Sequence, residues 1–236
     1  MVALEIIAET VEDAIEAEAG GASTLELVQN LAVGGLTPDL ALVRAIRAAV
    51  KIPLRVIVRP HARDFVYSAE DIALISADID RLKEIGTEGI VFGALRTDFT
   101  VDRDLTMQIA AHAHPMEVTF HRAIDIAIDA DQVLPVLTGH VQRILTSGHA
   151  NNAWEGRATL RQWIATYGDR CILACGGGIR TAQLADLVRE TAAPEFHLGS
   201  AAQTNQRVNR VKVAELRGII NAATDSTTST TYMENR

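Results

Sequence analysis

The chain of 236 residues is poor in lysine, aromatics and cysteine. Lysine occurs only at Lys51, Lys83 and Lys212, and the formal net charge is -8. A nucleic-acid surface needs clustered Lys and Arg, so no nucleic-acid partner is expected. No lysine falls at the end of a strand-like run, which argues against Schiff-base chemistry. Aromatics make up 4% of residues against 48% hydrophobic overall. The core must then rest on Ala, Val, Ile and Leu, as in a parallel sheet covered by helices. Two cysteines, Cys171 and Cys175, cannot staple a secreted framework. The opening "MVALEIIAET" lacks the basic start and apolar core of a signal peptide. No run reaches the roughly 20 apolar residues that span a bilayer. A soluble, cytoplasmic protein with no membrane partner is expected.

Short β-rich runs alternate with helical patterns from end to end. The strand candidates are 3–8, 24–28, 54–58, 89–93, 116–120, 142–146, 171–175 and 194–198. Helical periodicity lies near 10–20, 38–50, 69–86, 102–113, 130–138, 153–167, 181–192 and 210–222. Eight strand–helix units point to one α/β domain over 1–223, a closed (β/α)8 barrel. A doubly wound open sheet is the rival, but no GxGxxG follows the first strand. From Thr224 on, "TDSTTSTTYMENR" is Ser/Thr-rich and aperiodic, and reads as a disordered tail over 224–236.

In such a barrel the chemistry lies at the C-terminal ends of the strands. His61, His121, His149 and His197 fall there, whereas His112, His114 and His140 fall at the opposite face. The four mouth histidines are the candidates for a metal site. Side chains alternate along a strand, and one parity collects Glu5, Glu26, Arg55, Arg59, Glu117, Thr119 and His121. Their neighbours Leu4, Ile6, Leu25, Leu27, Val56, Val58, Val118 and Phe120 are apolar and suit the helix-facing side. The polar set would point into the barrel, where unpaired charge is costly. Two readings stand side by side. One is an internal ion-pair network joining Arg55 and Arg59 to Glu5, Glu26 and Glu117. The other is a catalytic set: Glu5 or Glu26 as base, His121 as acid and Arg59 as a bidentate anion clamp. In "FHRAID", Arg122 has the opposite parity to His121 and would brace the wall against Asp125.

"ACGGGIRT" follows the seventh strand and "HLGSAA" the eighth. Loops there form the recurrent phosphate site of barrels, because glycine permits close backbone approach and free N–H groups hold anions. Gly176, Gly177, Gly178, Gly199 and Ser200 are the anion-site candidates. Thr146 and Ser147, in "LTSGH" after the sixth strand, offer hydroxyls as well. A small anionic ligand is the expected partner. The polar loop "VRPHARDFVYS" could fold over the mouth.

"LELV…GGLTPDL", "IVRPHARDFVYS", "VTFHRAID", "RILTSG" and "GGGIRT" occur in an order and spacing that resembles the copper homeostasis protein CutC family, over about residues 3–222. The resemblance implies a cytoplasmic barrel, a homo-oligomer (a dimer), a role in copper homeostasis and copper as the bound ion. Family members often carry cysteines after the glutamates of the first two strands; here Ile7, Ala8 and Val28 stand there. Cu(I) prefers soft ligands, and Cys171 and Cys175 would lie roughly 13 Å apart along one strand. The alternative function is a metal-independent barrel enzyme, an isomerase, epimerase or lyase, acting on a small anionic or phosphorylated carbohydrate-like compound.

Overall fold

Eight parallel strands close into a barrel in chain order, each followed by a helix. The protein is described by a computed structural model that covers residues 1–234, with side chains through Asp225. The strands are β1 (Ala3–Ala8), β2 (Thr24–Leu27), β3 (Leu54–Ile57), β4 (Gly89–Phe92), β5 (Glu117–Phe120), β6 (Arg143–Thr146), β7 (Ile172–Gly176) and β8 (Glu195–Leu198). The covering helices are α1 (Val11–Ala19), α2 (Leu40–Ala49), α3 (Ala69–Ile85), α4 (Arg103–Ala113), α5 (Ala130–Leu137), α6 (Arg157–Tyr167), α7 (Thr181–Thr191) and α8 (Arg210–Glu234). Each element falls within a few residues of its sequence-based span, apart from the far end of α8. That helix runs through Thr224 and Asp225; the rest of the expected tail lies outside the residues whose side chains are described.

Helix starts follow local chemistry. Thr10, Asp39 and Asp102 accept N–H groups from the first turns of α1, α2 and α4. Ser68 and Asp71 form a reciprocal capping box at α3. A small hairpin, β9 (Gln203–Thr204) and β10 (Arg207–Val208), precedes α8. Its turn residues Asn205 and Gln206 both have positive φ, and the sequence carries no glycine there to announce it. No helix among the described residues is long and apolar enough to cross a membrane.

The two sides of the sheet divide by parity. Leu4, Ile6, Leu25, Leu27, Val56, Ile90, Phe92, Phe120 and Phe196 are fully buried in the apolar layer between strands and helices. The alternate positions fill the barrel interior with charge. Glu5, Arg55, Arg143, Glu195 and His197 are all buried. Parallel pairing sets Glu5 beside Thr24 on one side and His197 on the other, and Glu26 beside Arg55. That register, fixed by the apolar face, brings distant acidic and basic residues to one axis.

Candidate functional site at the barrel mouth

The interior network starts from Glu5. Its Oε1 accepts from Arg55 Nη1 at 3.1 Å and from Thr24 Oγ1 at 3.2 Å. Its Oε2 takes Arg143 Nη2 at 3.0 Å and meets His197 Nδ1 at 2.8 Å. Arg143 also grips Glu195 with two arms, at 2.5 and 3.1 Å, and donates to Thr119 at 2.7 Å. Arg55 continues to Glu117 at 3.0 Å. Burial by itself would raise the Glu5 pKa, but Arg143, His197 and Arg55 together hold it well below the usual carboxylate range.

His197 connects this network to the mouth. While Nδ1 faces Glu5, Nε2 lies 3.3 Å from Glu26 Oε2. Burial pushes the Glu26 carboxyl up, the nearby Glu5 charge adds to that, and both outweigh the His197 and arginine charges. Burial alone would lower His197, yet Glu26 and Glu5 raise it overall. Three buried carboxylates, Glu5, Glu26 and Glu195, face two guanidiniums, Arg55 and Arg143. Glu26, His197 and Glu195 are all pushed upward, which favours holding protons at these groups. A carboxyl and an imidazole 3.3 Å apart at the wall of a cavity are groups that acid–base chemistry uses.

That cavity measures about 350 Å³ and is lined by Glu26, His197, His121, Arg122, Gly177, Gly178, Gly199 and Ser200, with an apolar wall that includes Ile7, Val28, Ile57, Phe65 and Leu145. On its anion-site side, no backbone acceptor among the described residues takes the N–H groups of Gly177, Gly178 or Ser200. Helix α7 begins beside them with no side chain capping its first turn. Arg122 lies against Gly177: a Cβ on that residue would come within 2.7 Å of Cζ. The Arg122 guanidinium is fixed by Asp125 Oδ2 at 2.8 Å and donates to Ser147 Oγ at 3.2 Å. Arg122 therefore braces Asp125, as its parity suggested, and also faces the cavity.

Other expected site residues are placed elsewhere. Arg59, read as an anion clamp, donates Nη1 to the carbonyls of Val33 and Gly35 at 3.1 and 3.2 Å, its Cζ stacks 4.7 Å above the Phe65 ring, and its buried Nε has no partner among the described residues. It does not line this cavity. Thr146 Oγ1 donates to Asp125 and Ser147 Oγ donates to the Ala150 carbonyl at 2.6 Å, so both hydroxyls expected to meet an anion have partners within the protein. Gly176 ends β7 and is not part of the lining. As an acid His121 is ill suited, because burial, and then the Arg59 charge, push it down to about 3.

The four mouth histidines do not converge. His61 sits 3.4 Å from Asp71 in the loop after β3, and His149 reaches the Ala127 carbonyl at 2.8 Å. Only His121 and His197 line the cavity. Arg143 and Glu195 were overlooked in the sequence, and His197 was weighed only as a metal ligand. The alternation that flags β1 and β5 also runs through "EFHL" and marks Glu195 and His197, whereas in "RILT" the apolar Leu145 shares the parity of Arg143 and hides it.

The family model of the CutC family matches residues 2–202. The chain belongs to the CutC family. A human "Copper homeostasis protein cutC homolog" is 38% identical over 195 residues, 82% of this chain and 71% of that one. A "family protein CutC" of Chromobacterium violaceum is 38% identical over 201 residues, 85% and 81% of the two chains. The crystal structure of a CutC from Streptococcus agalactiae superposes with a TM-score of 0.79 at 25% identity, covering 85% of this chain and 99% of that one. Phosphoribosyl anthranilate isomerase of Thermotoga maritima, at 13% identity, shares the fold with a TM-score of 0.65 over 94% and 100% of the chains.

The family name raises copper, and the donors can be tested against it. Cys171 and Cys175 are buried, and burial pushes the Cys171 thiol to about 12 and Cys175 upward as well. The Met116 sulfur accepts from Thr87 Oγ1. No cysteine or methionine lines the mouth cavity. Glu5, Glu26 and His197 are the group among the described residues whose ligand atoms converge, within 4.8 Å. They are hard donors, and Glu5 is already neutralised by two guanidiniums. The residues present do not fit Cu(I).

Proposed function

We propose that this CutC-family barrel is an acid–base enzyme that isomerises or epimerises a small phosphorylated carbonyl compound. One observation carries the reading: the Glu26–His197 pair, 3.3 Å apart, opens into the same cavity as the bare N–H groups of the β7 and β8 loops. A phosphate at Gly177, Gly178 and Ser200 would be held by backbone N–H groups and by Arg122. The carbon end would then lie toward Glu26. Glu26 as carboxylate takes a proton from the carbon beside the carbonyl, leaving an enediolate. His197, backed by Glu5, stays beside the newly protonated Glu26 until that proton is delivered to the neighbouring carbon, while the enediolate's hydroxyl proton passes between its two oxygens. Free cysteines agree with a reducing cytoplasm for this work. Exposed Phe99, Ile126 and Ile128, joined by the Ile128 N–H to Phe99 carbonyl bond, support a homo-oligomer.

The test is deuterium exchange. The protein is incubated in heavy water with a panel of aldose and ketose phosphates, and NMR follows the proton next to each carbonyl. Exchange with at least one compound, lost in Glu26→Gln, is expected. A panel in which no compound exchanges faster than in buffer would sink the reading.

The relatives' name supports a second reading, a place in copper homeostasis. The convergence of Glu5, Glu26 and His197 favours a divalent ion over Cu(I), since oxygen and imidazole donors suit Cu(II) better than thiolate-seeking Cu(I). Arg55 and Arg143, bonded to the same Glu5, oppose any added cation.

A further inference from the structure

His121 caps the 3-10 turn Arg122–Ile126: its Nδ1 accepts the Ala123 N–H at 3.2 Å. A ring nitrogen that accepts a hydrogen bond carries no proton, so in the neutral ring the proton belongs to Nε2. Nε2 is buried and has no hydrogen-bond partner among the described residues. The ring cannot turn away to find one. Phe65 packs on it with centroids 4.7 Å apart, and the bare Gly93 accepts its other side, where a Cβ would be 2.5 Å from Nδ1. A buried donor left unpaired is costly, and proteins rarely leave one without a use.

We infer that His121 is a neutral Nε2–H donor held in reserve for an oxygen of the ligand in the mouth cavity, and that this oxygen is the carbonyl that becomes the enediolate. The second half of the inference rests on the reading proposed above. His121 lines the cavity together with Glu26 and His197, and Nε2, closed to water as the residues stand, meets a ligand oxygen when the Phe65 ring packed on it, itself part of the lining, gives way. The protonated ring is disfavoured by burial and by Arg59, so the ring stays neutral and carries no imidazolium proton to donate as an acid. Its contribution is a fixed dipole that binds the developing oxyanion more strongly than the starting carbonyl. Glu26 moves the proton at carbon, and His121 steadies the charge that appears on oxygen. Sequence reasoning had assigned His121 the acid's part; the cap bond to Ala123 assigns it the electrophile's.

The test has two arms. The first is long-range proton–nitrogen NMR of the full chain, with the His121 signal assigned by its loss in His121→Asn. Asn can keep the cap to Ala123, because its short side chain is a good N-cap acceptor, yet it cannot reach where Nε2 points. The expected spectrum is a neutral ring with bare Nδ1 and protonated Nε2 across pH 5 to 8. A protonated Nδ1, or an imidazolium at pH 7, overturns the inference.

The second arm compares 2-phosphoglycolate, whose planar carboxylate stands in for an enediolate, with ethyl phosphate, which offers the phosphate alone. Wild type is expected to bind 2-phosphoglycolate at least tenfold more tightly. In His121→Asn that preference should disappear while ethyl phosphate binds as before. A preference that survives in His121→Asn overturns the inference but leaves the proposed reaction class intact. If neither compound binds, the proposed function and the carbonyl assignment fall together, and the NMR arm alone decides whether His121 is a reserved donor.

Discussion

Arg143 on β6 reaches Glu5 on β1 across the barrel interior, Nη2 to Oε2 at 3.0 Å, and neither side chain is more than 1% exposed. Two more bonds tie the same guanidinium to Glu195. A buried pair of this kind stabilises little compared with an apolar core, yet breaking it strands charge. Arg143→Met leaves Glu5 and Glu195 with Arg55 as their remaining guanidinium. The expected cost is about 3–5 kcal/mol, measured by urea denaturation. A loss below about 1 kcal/mol would mean that water enters and screens the interior.

The pH dependence of stability separates the two cavity histidines. His121 has a folded pKa depressed from 6.5 to about 3. The unfolded chain therefore takes up a proton below about pH 6.5 that the folded chain refuses, and stability falls with acid by about 1.4 kcal/mol per pH unit across that window. Between pH 6.5 and 5 this amounts to about 2 kcal/mol. His197 behaves in the opposite way. Its folded pKa is raised, so its contribution is complete below about pH 6.5 and is lost as pH rises through the folded value. Glu5, held low, contributes above its ordinary pKa and is lost only in stronger acid. Stability should peak near neutrality. His121→Asn should flatten the limb between pH 5 and 6.5, and His197→Asn the limb above it. Urea midpoints taken from pH 5 to 9 check both, and identical profiles for wild type and His121→Asn would contradict a neutral buried His121.

The fold was legible because its code is periodic. Strand parity, helix caps and the two glycine loops are local features, and the closed barrel follows from eight units of them. Glu5, Glu26 and Arg55 point inward as strand alternation dictates. Arg59 escaped the rule because it lies past the end of β3, where its backbone N–H is held by Thr37 Oγ1 and the direction of the side chain is no longer set by the pleat. Thr146 and Ser147 were misread for another reason. Their partner, Asp125, comes from the preceding strand–helix loop, and no spacing rule relates the two segments. The tautomer of His121 was hidden too, since it depends on one backbone N–H two residues away.

Copper provides the last test, because the family name and the donor chemistry point in different directions. Tight Cu(I) binding needs two or more soft donors that meet and can ionise. Burial pushes the Cys171 thiol to about 12, so almost none is thiolate at pH 7, and Cys175 is buried further. The two stand four residues apart at and within β7, roughly 13 Å along the strand, which no single ion bridges. In a competition with bathocuproine disulfonate, wild type and Cys171→Ala/Cys175→Ala should take up the same small amount of Cu(I), well below one per chain. One equivalent bound by wild type and lost in the double variant would place a thiolate site in a barrel that must first open to form it. One equivalent retained by the double variant but lost in Glu26→Gln would move the metal to the mouth, onto the group assigned here to proton transfer.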